Sequence, residues 1–264
     1  MQPCDIVDSG ECTHCGKQMQ RIILPTAEKL ELASEIEQVI QQRSGFDRMK
    51  RSKEGDGERM ENFRRFKAFL EANGPFDIFI DGANIAHYKQ NFEGGTFNYQ
   101  QIDMIASYLQ QQGYKVLIVL HEHHFDQPTT DLPERWLEQK LAYKVVKGNN
   151  DDWYWMYAAL SSRNDAMILS NDKMRDHFFQ IHNDLRFQAW REYSQIYYDI
   201  WTDIEKKKFV LTFPKKFTQS IQENLAGFHI PFGKIEENVK QVKHYFCLLD
   251  SRLTENKHSC CSIM

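Results

Sequence analysis

Phe76-Asp77-Ile78-Phe79-Ile80-Asp81-Gly82-Ala83-Asn84-Ile85-Ala86 is an apolar run that stops abruptly at an acid, a glycine and an asparagine. Followed by a turn and a helical pattern, it reads as the first strand of an α/β sheet. Ligands of open α/β sheets bind beyond the carboxyl ends of the strands, so Asp81 stands where function is expected. Working outward, two later segments repeat the design. Gly148-Asn149-Asn150-Asp151-Asp152 leads into a helical pattern, and Ala166-Met167-Ile168-Leu169-Ser170-Asn171-Asp172 closes another apolar run on an acid. Residues 115–120 and 143–147 read as further strands, with helices expected over 99–112 and 133–141. Strand and helix alternating at this spacing specify an α/β fold, a mostly parallel sheet with helices on both faces. Its carboxyl edge then gathers Asp81, Asp151, Asp152 and Asp172.

Acids in the first turn of a helix ordinarily cap free N–H groups and complement the dipole, and one would suffice. Asp151 and Asp152 side by side, next to the aromatic run Trp153-Tyr154-Trp155-Met156-Tyr157, point instead to a site. His121-Glu122-His123-His124 follows an apolar strand. Three imidazoles on an extended segment cannot all face one ion, so this segment reads as a substrate contact or a solvated loop.

Upstream, Cys12-Thr13-His14-Cys15-Gly16 is a Cys-x-x-Cys knuckle, half of a tetrahedral zinc site. The other half is not nearby. A helix is expected over 27–42 with Leu30, Ala33, Ile36, Val39 and Ile40 on its apolar stripe, then an exposed linker over 43–58. A second helix carries Met60, Phe63, Phe66, Phe69 and Leu70 and stops at Asn73-Gly74-Pro75. Beyond His177 the pattern turns aromatic-rich and antiparallel in character. There, His229 in Gly227-Phe228-His229-Ile230-Pro231-Phe232 and Cys247 in Tyr245-Phe246-Cys247-Leu248 are framed by apolar residues. They can complete the site opened by Cys12 and Cys15, clipping the two ends of the chain into a small β-rich domain.

With 264 residues, 41% of them hydrophobic, the chain can bury a large core. No run of eighteen apolar residues offers a membrane span. Met1-Gln2-Pro3-Cys4-Asp5 lacks the basic-then-apolar order of a signal peptide, and six cysteines without one favour metal or free thiols over disulfides. A reducing, intracellular location is expected, with mitochondrion, nucleus and cytoplasm not distinguished. The net charge of −4 hides local contrast. Lysine and arginine gather in 48–53, in Arg64-Arg65-Phe66-Lys67, and in Lys206-Lys207-Lys208 with Lys215-Lys216. Such clusters serve nucleic-acid contact or are solvated faces. The final Cys261-Ser262-Ile263-Met264 formally fits a prenylation box, but four residues match by chance easily, and residues 254–264 read as a polar, disordered tail.

Clustered carboxylates without a catalytic serine or histidine partner are hard oxygen ligands, suited to Mg²⁺ or Mn²⁺. Held close together, they repel one another unless a cation neutralises them. Two such ions activate water and stabilise a leaving oxygen in line, so hydrolysis of nucleic acid is the chemistry this layout supports best. The chain offers neither an Asp-x-Asp nucleophile pair nor a P-loop.

These residues carry a family resemblance. Asp81-Gly82-Ala83-Asn84-Ile85-Ala86 after a strand, Asp151-Asp152 opening a helix and Asn171-Asp172-Lys173-Met174-Arg175-Asp176-His177 resemble the NYN, PIN-like metallonuclease domain of protein-only ribonuclease P. The Cys12 and Cys15 knuckle with the His229 and Cys247 segments is similar to that family's split zinc-binding domain. The resemblance implies an endoribonuclease that removes the 5′ leader of precursor tRNA, with Asp81, Asp151, Asp152 and Asp172 binding catalytic Mg²⁺ or Mn²⁺. It implies that Asn84, Arg175, Asp176 and His177 support the metal-binding carboxylates or contact the substrate. Cys12, Cys15, His229 and Cys247 would hold a structural zinc. Domains are expected at 1–25 and 209–253 (zinc-binding, in two parts) and 26–208 (metallonuclease). Family members grip the tRNA through a helical pentatricopeptide-repeat arm that this chain does not match, so grip is expected from a missing segment or a partner subunit. Two alternatives remain open: a PIN-like endoribonuclease acting on other RNAs, and a non-catalytic, zinc-clipped RNA-binding module.

Overall fold

A computed structural model describes residues 2–21, 24–41, 54–90, 95–126, 128–146, 149–162, 164–202, 207–218, 220–224, 227–232 and 244–249. Residues 42–53, which hold most of the linker expected over 43–58 and its basic cluster at 48–53, lie outside the described residues, as do Lys206 and the tail with Cys261. The chain divides into two compact units, one of residues 24–213 and one of residues 1–23 with 214–264.

The elements run in chain order from β1 (Gln2–Cys4), α1 (Thr26–Gln41) and α2 (Glu54–Asn73) to β2 (Ile78–Asp81) and α3 (Gly82–Ala86). Next come α4 (Tyr99–Gln111), β3 (Val116–His121), a 3-10 turn (Glu122–His124), α5 (Leu132–Glu138), β4 (Ala142–Val145), α6 (Asp151–Ser161) and β5 (Met167–Leu169). The remainder is α7 (Arg175–Gln180), α8 (Leu185–Ser194), β6 (Gln195–Thr202), β7 (Lys207–Thr212), β8 (Gln222–Asn224), β9 (Gly227–Phe232) and β10 (His244–Leu249).

In the larger unit the sheet order is β4-β3-β2-β5-β6-β7. The first four pairings are parallel and β6–β7 is antiparallel. Strand alternation sends alternate side chains to opposite faces. Phe79, Leu117, Val119 and Ile168 meet the helices α1, α2, α6 and α8 on one side. Ile78, Ile80, Ile118, Leu120 and Leu169 meet α3, α4 and α5 on the other. Because β3 and β4 lie on one side of β2 and β5 on the other, the order reverses between β2 and β5. Asp81 ends β2 and Asp172 follows β5, both at this switch point, where open α/β sheets bind ligands.

Several local expectations are corrected. Strand β7, expected within the zinc-binding part, pairs with β6 from Tyr197↔Thr212 to Thr202↔Lys207, which moves the boundary from 209 to 214. Helix α2 begins at Glu54, inside the expected linker. On α1, Leu30 is exposed and Lys29 is buried, because the lysine stem packs inward while its Nζ donates to the Asn164 carbonyl. The aromatic run opening α6 is core rather than site: Tyr154 packs against Phe63 and Phe66 at ring-centroid distances of 5.4 and 4.9 Å. Arg64 and Arg65 pair with Glu61, and Lys67 with Glu37, which makes that basic cluster a salt-bridged helix face.

In the smaller unit β1, β10, β9 and β8 form an antiparallel sheet in that order. Its core is Cys4, Ile6, Cys12, Met19, Phe217, Tyr245 and Cys247.

Candidate active site and cysteine–histidine cluster

Asp81 is both the last residue of β2 and the N-cap of α3. Its Oδ1 accepts from the Asn84 N–H at 3.0 Å and its Oδ2 from the Ser170 hydroxyl at 2.7 Å. Only 5% of it is exposed. Burial first, then the Asp152 and Asp151 carboxylates, hold its pKa well above the ordinary carboxylate range, against those two hydrogen bonds. Gly82 lets α3 start tight against β3, because a Cβ there would sit 2.7 Å from Leu120 Cγ and 3.1 Å from Ile118 Cγ2.

Asn150 caps α6 by accepting from the Asp152 N–H, so the helix begins with both acids in its first turn. Asp151 is driven up to about 6, by burial first and then by Asp152, while the His121 backbone N–H donates to it. Beyond β5, Ser170 Oγ accepts from the Asp172 N–H at 3.0 Å, and Asp172 Oδ1 accepts from the Met174 N–H at 3.1 Å. One buried hydroxyl thus links the Asp81 carboxylate to the Asp172 backbone. Met174 adopts a left-handed φ of 51° and α7 starts directly after it, with His177 turned inward. His177 Nε2 lies 3.3 Å from Asp152 Oδ2, and its ring meets Trp153 edge-on at 4.6 Å.

The result is an open cavity of about 520 Å³ whose lining includes Asp81, Asn84, Asp152 and Asp172. Asp152, Asp172 and His177 each offer a ligand atom within 4.8 Å of the others. Asp151 stands beside this group without lining the cavity. Arg175 and Asp176 are exposed on α7 and are not brought to the cavity. Hard oxygen donors around an acid that burial and like charge disfavour form a set that fits a hard divalent cation.

Asn171, Tyr198 and Gln195, whose roles pattern reading missed, tie Asn84 and the Asp172 turn together. Asn84 Oδ1 accepts from the Asn171 N–H at 2.9 Å and the Tyr198 hydroxyl at 2.6 Å. Asn171 exchanges two hydrogen bonds with the Tyr198 backbone. Gln195 Nε2 donates to the Ser170 and Asp172 carbonyls. The Tyr198 and Gln195 contacts depend on β6 lying beside β5, a long-range pairing with no local sequence signal beyond Ser170 and Asn171 in the strand's end. In the histidine segment His121 ends β3 and residues 122–124 form a 3-10 turn, with His123 exposed. His124 is buried, stacked on Phe97 at 3.9 Å, and burial pushes its pKa down to about 3.

In the smaller unit, ligand atoms of Cys12, Cys15, His229 and Cys247 lie within 4.8 Å of one another, with Cys15 Sγ 3.4 Å from His229 Nε2. Burial opposes ionisation of Cys12, but N–H groups of Cys15 and His14 donate to its sulfur and bring its pKa down. Cys4 and Cys247 are pushed up to about 12, burial being the main cause. Crowded, buried thiols whose pKa values are driven apart fit a cation that binds thiolates.

A parallel sheet with an acidic cavity at its switch point, accompanied by a separate four-ligand cysteine–histidine unit, defines a two-part α/β protein with two metal-type donor sets. A sequence model of protein-only RNase P matches residues 6–247, and the chain belongs to that family. It is 28% identical to proteinaceous RNase P 2 of Arabidopsis thaliana, over 97% of this chain and 47% of that protein. It is 32% identical to the mitochondrial ribonuclease P catalytic subunit of Rattus norvegicus, over 87% of this chain and 38% of that protein. The crystal structure of nuclear proteinaceous RNase P 2 from A. thaliana superposes with a TM-score of 0.67 at 26% identity, covering 92% of this chain and 48% of that one. The chain therefore spans about half the length, or less, of these relatives.

Proposed function

We propose that the acidic cavity binds Mg²⁺ or Mn²⁺ and hydrolyses a phosphodiester of RNA, and that the substrate is precursor tRNA cut at the end of its 5′ leader. The observation that carries this is the convergence of Asp152, Asp172 and His177 within 4.8 Å, with Asp152 and Asp172 lining an open cavity beside buried Asp81. Bound divalent cations supply an activated water and stabilise the leaving oxygen. Asp152, Asp172 and Asp81 hold them, and Asp151 adds charge from behind. His177 orients Asp152 through the 3.3 Å contact. Ser170 and Asn84 keep Asp81 and the Asp172 turn in register. Arg175 and Asp176, exposed on α7, meet RNA outside the cavity. Cys12, Cys15, His229 and Cys247 hold a structural Zn²⁺. The family match and the names of the relatives support this reading, and an intracellular setting goes with it. Among the described residues no helix is long and apolar enough to cross a membrane.

The test is incubation with a 5′-leader precursor tRNA in Mg²⁺, with the product ends mapped, beside an unstructured RNA of equal length. A single cut at the mature 5′ end is expected. Equal cutting of both RNAs would replace the substrate assignment, and no cutting by a protein that binds the cation would overturn the catalytic one.

A further inference from the structure

The acidic cavity is also lined by residues that cation binding does not use, among them His87, Tyr88 and Lys89. Lys89 is the one lysine or arginine among the described lining residues. Its backbone is left-handed, with φ 55°. Its Nζ donates to Asp199 Oδ1 at 2.7 Å and to the Ile200 carbonyl at 2.8 Å. The Tyr88 hydroxyl donates to the same Asp199 oxygen at 2.8 Å, and Nζ lies 5.2 Å from the Tyr88 ring centroid. Tyr88 in turn packs edge-on against Tyr198 at 5.0 Å, and Tyr198 donates to Asn84.

A surface ion pair does not account for this. An exposed pair shifts a folding equilibrium by about one- to fivefold, whereas left-handed backbone at a lysine costs about five- to thirtyfold. Backbone outliers that the surroundings over-determine cluster where a ligand must be met. An ammonium has three donors, of which two are taken, and the side chain remains 55% exposed. A pre-placed cation with one donor free, in a cavity that also presents Asp81, Asp152 and Asp172, suits an anion that must approach those carboxylates.

We propose that Lys89 is a substrate-binding residue. Its third N–H donates to a nonbridging oxygen of an RNA phosphate neighbouring the one presented to Asp81, Asp152 and Asp172, and Tyr88 and Asp199 position it. This rests on the RNA-hydrolase reading of the same cavity and adds a second phosphate subsite.

The test compares wild type, Lys89→Gln and Lys89→Arg for binding of the leader-containing RNA across a KCl series in Ca²⁺, alongside Mn²⁺ affinity and thermal midpoint. Lys89→Gln is expected to weaken RNA binding about tenfold and to flatten the slope of log affinity against log salt by about one unit, with Lys89→Arg restoring most of both. Mn²⁺ affinity and midpoint stay at the wild-type values. An unchanged salt slope in Lys89→Gln overturns the proposal, whether affinity is unchanged or falls together with stability and Mn²⁺ binding, as a clamp between α3 and β6 would give. A wild type that binds no RNA overturns the underlying RNA-hydrolase reading instead.

Discussion

Gly82→Ala is the sharpest perturbation of the fold-to-site link, because one methyl group tests both. The new Cβ would lie 2.7 and 2.8 Å from Leu120 Cγ and Cδ2 and 3.1 Å from Ile118 Cγ2, where ordinary contact begins at 3.4 Å. Leu120 and Ile118 are fully buried in β3, so neither can swing into solvent. Relief has to come from α3 moving off the sheet by some tenths of an ångström, and α3 carries Asn84 and is capped by Asp81. Overpacking of this kind costs about 1–3 kcal/mol, offset by up to about 1 kcal/mol from replacing glycine in a helix. A net loss in the middle of the resulting range, about 1–2 kcal/mol, lowers the midpoint of a unit this size by about 2–8 °C. Thermal unfolding followed with and without Mn²⁺ reads both consequences: a lower midpoint in EDTA and a smaller rise on adding Mn²⁺. A variant with the wild-type midpoint and the wild-type Mn²⁺ response would refute the packing argument and its transmission to Asp81.

Three further outcomes are expected. Ser170→Ala removes the donor to Asp81 Oδ2 and the acceptor for the Asp172 N–H, at a cost of about 1–3 kcal/mol, with weaker Mn²⁺ binding; urea denaturation showing no loss would remove Ser170 from the site. Asp151 is raised to about 6 in the folded protein against 3.8 ordinarily, so the folded state holds the extra proton between those values. Cation-free stability therefore falls as pH rises through about 6, by on the order of 2–3 kcal/mol for this group, and the fall is reduced by saturating Mg²⁺. Comparing wild type with Asp151→Asn at pH 4 and pH 7.5 in EDTA isolates it, and parallel pH profiles for the two proteins would rule it out. Cys15→Ser strips one ligand from the cysteine–histidine cluster and should lose both bound zinc, read by metal analysis, and most of the smaller unit's stability. Retention of both would take Cys15 out of the ligand set.

The carboxyl-edge aspartates were readable because each ends an apolar run or opens a helix, a local pattern with one physical meaning in a parallel sheet. Gly82 and Asn84 follow from the same stretch. What escaped depends on contacts distant in sequence. Gln195, Tyr198 and Asn171 matter only once β6 lies beside β5, and β7 joined the larger unit because six residue pairs tie it to β6. Helix faces were misjudged by one position where a lysine stem competes with a leucine, as at Lys29 and Leu30. Arg175, Asp176 and His177 looked equivalent in the chain, yet the left-handed Met174 sets the start of α7 so that only His177 is buried toward Asp152. The aromatic run after Asp152 owed its composition to the core.

The proposed divalent-cation site at the β2–β5 switch point stands on its aspartates. Electron paramagnetic resonance of Mn²⁺ titrated into wild type and Asp152→Asn tests it most directly, since the substitution keeps the side-chain shape and the Asn150 cap while removing a charge. Bound Mn²⁺ in the wild type that is lost or weakened at least tenfold in Asp152→Asn, with both proteins equally folded, is the expected result. Identical Mn²⁺ binding by the two would contradict the account.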